Sequence, residues 1–293
     1  VDIQIGLNII EERIMGRGKY IYHINYQAFE EPLCRLEQRR VFNIDSREKS
    51  FESDVDFDPS DSPFMKSKME KMIERETFET LLAEIKEMNI EHEGFFVTYM
   101  VYNKEDPFYK TRKDHCKSVG LIIQGNPNFK NPSIIYGITH YGGSWFFGEE
   151  TLNNGLWRRH NNKPYSYSSS LGIHLAKALV NIGCQGDKNL RIIDPCCGVG
   201  TVLLEAAFAG YKAEGRDLVE KVAKSAQLNM RHYGFDVPIS LGNIKDIEKH
   251  YDVALVDLPY GISTDITVVQ QAEIITNACR IADRVVVVST EDI

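Results

Sequence analysis

Ile192-Ile193-Asp194-Pro195-Cys196-Cys197-Gly198-Val199-Gly200-Thr201 is an apolar run that ends in an acid and turns through two glycines. The stretch from Gly200 to Ala209 then reads as a helix. Glycines at such a turn let the backbone approach a ligand closely, because no Cβ stands in the way. The pattern repeats outward along the chain. Lys212 to Asp217 reads as a strand, Val219 to Tyr233 as a helix, and Val237 to Leu241, Val253 to Val256 and Arg284 to Val288 as strands, with Val268 to Ala282 a helix between the last two. Strands alternating with helices predict an α/β fold with a parallel, Rossmann-like doubly wound sheet, whose ligands sit at the carboxyl ends of its strands.

Four of those strand ends carry chemistry. In the first, Asp194, Cys196, Gly198, Gly200 and Thr201 form a candidate cofactor-binding loop. A dinucleotide site asks for a third glycine, but the third position after Gly200 is Leu203, which speaks against a nicotinamide cofactor. Asp217 ends the second strand about 20 residues beyond Asp194, a spacing at which such sheets hold a ribose. Asn243 follows the third strand and reads either as an amide facing an adenine edge or as an ordinary turn residue. The fourth strand ends in Asp257-Leu258-Pro259-Tyr260-Gly261. A base amine is a poor nucleophile because its lone pair is delocalised into the ring. The Asp257 carboxylate, helped by the Leu258 carbonyl, can draw on the amine hydrogens, and Tyr260 can stack on an extruded base. Asp257, Leu258, Pro259 and Tyr260 are therefore the candidate catalytic residues, with Asp257 also facing the cofactor.

These loops resemble those of class I amino-methyltransferases. The stretch Tyr165 to Ile182, with Ser169, Leu171 and Leu175-Ala176-Lys177-Ala178-Leu179-Val180-Asn181, is similar to the helix that precedes them in THUMP-containing tRNA guanine-N2 methyltransferases. Residues 1–150 resemble that family's N-terminal ferredoxin-like and THUMP RNA-binding region, with the THUMP likeness centred on Gly120 to Gly148. The resemblance implies S-adenosylmethionine as cofactor, methylation of guanosine N2 in tRNA, and a THUMP module gripping the acceptor end. The expected division is a ferredoxin-like domain over 1–60, a THUMP-like α+β domain over 61–150, a basic linker over 151–164 and the methyltransferase domain over 165–293. Two features depart from the family pattern: position 258 is Leu where a proline is usual, and the sequence stops at Ile293, directly after the fifth strand.

The remainder of the chain is read from composition and periodicity. Tyr20 to Tyr26 alternates like a strand and Glu31 to Phe42 reads as a helix. Ser50 to Ser62 reads as an acidic domain boundary or exposed connection, Phe64 to Met88 as a helix, and Gly94 to Tyr102 as a buried strand. Polar, basic Lys104 to Lys117 leads into apolar Ser118 to Gln124, and Ser133 to Thr139 and Trp145 to Gly148 read as strands. The net charge of −8 is uneven: residues 1–100 carry −8, residues 101–190 carry +5 and residues 191–293 carry −5. A local basic surface is what a phosphate backbone needs, so RNA binding is expected of the middle segment.

Six scattered cysteines without a C-x-x-C pair, and histidines at 115, 140, 160 and 174 without ligand spacing, predict neither disulfides nor a metal. No apolar run reaches membrane length and the first residues lack signal-peptide order, so no membrane partner and a cytoplasmic location are expected. The same Asp-Leu-Pro-Tyr loop would also serve adenine N6 or a glutamine amide. A noncatalytic RNA-binding scaffold with a degenerate methyltransferase fold is the alternative from another class.

Overall fold

The structure, a computed structural model, describes residues 18–100, 108–167, 170–259 and 266–289. Contacts divide the chain into two compact units. One gathers Lys49–Asp56 and Ser67–Thr151 with the chain up to His23; the other gathers Ile24–Glu48, Phe57–Lys66 and the chain from Leu152 onward. Neither unit is a single stretch of sequence. Among the described residues, no helix is long and apolar enough to cross a membrane.

The first unit is built on a six-stranded sheet. Its strands are β1 (Tyr20–Ile24), β2 (Ser50–Ser53), β3 (Met65–Arg75), β4 (Phe95–Tyr99), β5 (Ile134–Tyr141) and β6 (Ser144–Leu152), in the order β2-β1-β3-β6-β5-β4. The β1–β2 and β5–β6 pairs are antiparallel, whereas β4 runs parallel to β5. Helices α2 (Phe78–Glu87) and α3 (Tyr109–Gly120) cover one face. There Leu81, Ile85 and Val119 meet Phe95, Val97, Ile138 and Phe147 in one apolar cluster.

Two expectations are corrected here. The helix expected over 64–88 is instead β3 followed by α2. Lys, Met and Glu favour helix individually, but Met65, Ser67, Met69 and Ile73 are buried while Lys66, Lys68 and Glu70 are less so, which is the period of a strand. A strand cannot be finished by propensity alone, and here its neighbours β1 and β6 complete the hydrogen bonding. Thr77 then starts α2, its hydroxyl accepting from the Thr80 N–H at 3.2 Å. Ser50–Ser62 is not an exposed connection: it contains β2 and buries Phe51 and Phe57. Residues 118–120 belong to the end of α3, with Val119 fully buried beneath it.

The second unit holds five parallel strands, β7 (Arg191–Asp194), β8 (Lys212–Asp217), β9 (Ile239–Leu241), β10 (Tyr251–Asp257) and β11 (Ala282–Val288), in the order β11-β10-β7-β8-β9. Because successive side chains alternate faces, two cores form. Ile192, Val253 and Leu255 pack with Leu179, Leu203 and Ala226 of helices α4 (Ile173–Cys184), α5 (Thr201–Phe208) and α6 (Glu220–His232). Ile193, Ala254 and Val256 turn the other way, onto Ala278 and Ile281 of α7 (Val268–Ile281). Helices thus cover both faces, as the alternation of strand and helix predicts. Helix α1 (Glu31–Phe42) belongs to this unit, where the Asn181 amide of α4 donates to the buried Glu37 at 2.6 Å.

The segment 151–164, read from sequence as a basic linker, belongs to the second unit from Leu152 onward and is anchored there. Trp157 and His160 are fully buried, and His160 Nδ1 lies 2.6 Å from Glu205 of α5. Lys177 of α4 reaches the other oxygen of that carboxylate at 3.5 Å and lies over the Phe208 ring at 4.8 Å. A buried carboxylate requires such partners, and here they tie the segment to the two helices that flank the glycine turn.

Candidate active site

Parallel register brings the strand ends level. Asp194 pairs with Gly215, Asp217 with Leu241 and Asp257 with Val288, so three acids end up on one edge of the sheet. They surround a cavity of about 840 Å³, lined also by Cys196, Gly198, Thr201, Asn243, Leu258 and Pro259. Of the candidate residues in the four loops that the structure describes, all but Gly200 line this cavity, and Gly200 lies within the turn that borders it. Tyr260 lies outside the described residues.

The glycine turn is shaped by its backbone. Gly198 and Gly200 adopt φ of 53° and 83°, the left-handed region that a side chain disfavours. Gly200 caps the start of α5, and a Cβ there would sit 3.0 Å from Met230. Asp217 is tied into this turn: it accepts from the Gly198 N–H at 2.9 Å and from the Val219 N–H at 2.8 Å. Burial raises its pKa in spite of those bonds. Asp194 is almost fully buried and accepts from the Cys196 N–H at 3.3 Å. Burial, then the nearby charges of Asp257 and Asp217, hold its carboxyl well above the usual carboxylate range. The Cys196 thiol is pushed up to about 12 by burial, which keeps it protonated and unreactive.

Asn243 uses its side-chain oxygen locally, accepting from the Lys245 N–H at 3.0 Å, while its carbonyl accepts from Arg216 at 2.9 Å. That is the turn reading of the residue, realised at the cavity wall.

Asp257 is the acid of the cavity whose carboxylate keeps an open oxygen. Burial raises its pKa to about 6, and its Oδ1 atom is buried without a hydrogen-bond partner. A buried acceptor left open is costly, and is found where a ligand supplies the missing donor. The departure at 258 has a structural reason. Leu258 is 1% exposed within the Ile193–Val256–Ile274 core, and its N–H donates to the Val288 carbonyl at 3.1 Å. Proline could supply neither the volume nor the N–H. The Pro259 carbonyl next to it accepts from Gln271 of α7 at 3.4 Å. Helix α7 is itself anchored by a capping box between Thr267 and Gln270.

Several lining residues are not apparent from the strand-end motifs. Tyr167, Ser170 and Leu171 come from the segment before α4, and Gln270, Glu273 and Asn277 from α7. Burial first, then the charges of Asp217 and Asp257, push the Tyr167 phenol up to about 12. The only signal available in sequence was the family likeness of the stretch beginning at Tyr165. Among the described residues, no group of acids, histidines and cysteines is placed to hold a metal ion.

The profile described as "UPF0020: RMKL-like, methyltransferase domain" matches residues 159–286, which hold all four strand-end loops. Among curated proteins the chain is similar to the tRNA (guanine(10)-N2)-dimethyltransferase of Methanothermobacter thermautotrophicus, 33% identical over 36% of this chain and 32% of that protein. A longer but weaker similarity, 25% identity over 64% of this chain and 59% of the relative, is to the protein of the same name from Methanocaldococcus jannaschii. The chain thus spans about a third of the first of these relatives. Among solved structures, a predicted N6-adenine-specific DNA methylase from Listeria monocytogenes shares 13% identity over 93% of this chain and 89% of its own, at a TM-score of 0.45. The matched segment places its glycine turn, the acid at ribose spacing and the Asp-Leu-Pro loop at one edge of the parallel sheet.

Proposed function

We propose that the chain is an S-adenosylmethionine-dependent N-methyltransferase that modifies the exocyclic N2 of a guanosine in tRNA. The observation that carries this reading is the Asp257 carboxylate, buried and with an open oxygen, on the wall of the cavity that also holds the glycine turn and Asp217. When bound, S-adenosylmethionine supplies a methyl group made electrophilic by its sulfonium. Asp217 offers its carboxylate to the ribose hydroxyls, the Gly198–Thr201 turn lets the backbone come close, and Asn243 and Ile244 border the end where a purine fits. Asp257 accepts from the substrate amine, restoring density to its lone pair and fixing its direction of attack. Pro259 lines the same cavity on the side of Asp257. The matched relatives' names supply guanosine N2 of tRNA as the substrate.

The N-terminal unit is then a THUMP-like RNA-binding module. Helix α3 supports this with a charge pattern opposite to that of the whole chain: Tyr109, Lys113 and Lys117 follow one another at four-residue intervals, and Lys110 and Phe108 stand exposed beside them. Lys113 lies 4.5 Å from the Tyr109 ring centre.

The test is calorimetric titration with S-adenosylmethionine, its demethylated product and NAD, followed by methyl transfer to unmodified tRNA with nucleoside analysis. Binding of the first two alone and formation of N2-methylguanosine are expected. Asp257→Ala should lose at least about a hundredfold in turnover while keeping donor affinity. Full turnover in that variant removes Asp257 from the chemistry, and binding of NAD alone overturns the reading.

A further inference from the structure

Tyr167 lines the cavity from a segment, Lys163 to Tyr167, whose residues belong to no helix or strand. It nevertheless stands close over the glycine turn: a Cβ built on Gly198 would lie 2.6 Å from the Tyr167 hydroxyl. No strand ladder holds it there, so some other group must. The side chain of Asn229 on α6, 0% exposed, uses its acceptor and its amino group together. Its oxygen accepts from the Tyr165 N–H at 3.0 Å, and its amino group donates to the Tyr165 carbonyl at 2.9 Å and to the Val199 carbonyl at 2.9 Å. Ala226 and Met230, on the same part of α6, stand 3.2 and 3.0 Å from a Cβ built on Gly200. One buried amide thus binds both backbone groups of Tyr165 to the middle residue of the Gly-Val-Gly turn.

We propose that Asn229 is a positioning residue for the cofactor cavity, holding the Tyr165–Tyr167 segment against the glycine turn so that Tyr167 forms a fixed wall across Gly198. The proposal rests on the reading that this cavity takes S-adenosylmethionine. Asn229 touches no ligand; it acts through Tyr167. An amide is required because only an amide of this size accepts from one N–H while donating to two carbonyls. Asn229→Asp keeps the size and the acceptor but turns a carboxylate oxygen towards the carbonyls of Tyr165 and Val199.

The test uses the full chain with Asn229→Asp, Asn229→Ala, Tyr167→Ala and the double variant N229D/Y167A. Hydrogen exchange should quicken in peptides covering 163–167 and 197–200 in both Asn229 variants and stay unchanged over β10, a readout that needs no cofactor. Calorimetry should show about tenfold weaker S-adenosylmethionine binding in N229D at unchanged stoichiometry. The double variant should bind within about twofold of the weaker single variant, because residues acting as a unit are not additive. Lower stoichiometry and melting temperature with an unchanged Kd would mark Asn229 as merely structural and overturn the proposal. Unchanged exchange over 163–167, or additive losses in the double variant, overturns it equally. Absence of donor binding in the wild-type chain overturns the reading of the cavity instead, and the exchange result then still decides whether Asn229 holds the segment.

Discussion

Asp257 combines a place on the cavity wall with a thermodynamic cost. Its pKa near 6 comes from burial alone, so the charged form is disfavoured in the folded state relative to the unfolded chain. A carboxyl whose folded pKa is raised contributes stability below its unfolded pKa, near 4, and loses it as pH rises through 6. At neutral pH the native state therefore carries this cost. Asp257→Asn should raise stability at pH 7.5 by about 1 to 2 kcal/mol, partial solvent contact having screened some of the shift, and by much less at pH 4. Thermal melts at both pH values check this, and an equal gain at each would show that charge burial is not the cause. Activity should move the other way in the wild type, falling as pH drops through about 6 and the acceptor is protonated.

The β10–β11 pair shows how an element can explain a departure from a sequence pattern. Leu258 continues the ladder past Asp257 through its N–H and fills the core facing α7. Leu258→Pro brings the loop nearer the family pattern but removes both contributions, and should destabilise by about 3 kcal/mol or more in urea unfolding. A variant as stable as wild type would mean that the Val288 contact contributes nothing. The five-strand alternation around this loop was legible because buried parallel strands, glycine turns and acids at strand ends are local consequences of backbone geometry. The cavity was legible on its strand-end side for the same reason. Tyr167 and Gln270 were not, since which side chains a sheet edge gathers from distant segments depends on packing. The error at 64–88 has a different origin: Lys66, Lys68, Met69 and Glu70 suit a helix individually, and only pairing with β1 and β6 makes them a strand. Trp157 and His160 were likewise hidden within a basic, aperiodic stretch, because nothing local reveals that Glu205 awaits the histidine.

At the scale of the molecule, a chain of net charge −8 must hold a polyanion if tRNA is its substrate. Diffuse attraction is therefore unavailable, and binding has to rely on a concentrated basic surface. Residues 101–190 carry a charge of +5, and within them α3 presents Lys110, Lys113 and Lys117 to solvent. Replacing all three by Ala should weaken tRNA binding and reduce the slope of log K against log salt by about 2, since each lost phosphate contact removes about 0.7 on a single strand and slightly more on a duplex. Donor affinity should be unchanged, because the cofactor cavity lies wholly within the other unit. Filter binding over a salt series, run beside calorimetry with S-adenosylmethionine, separates the two terms. An unchanged salt slope would move the RNA contact away from α3, whereas a loss of donor affinity as well would show that the two units are coupled through the first.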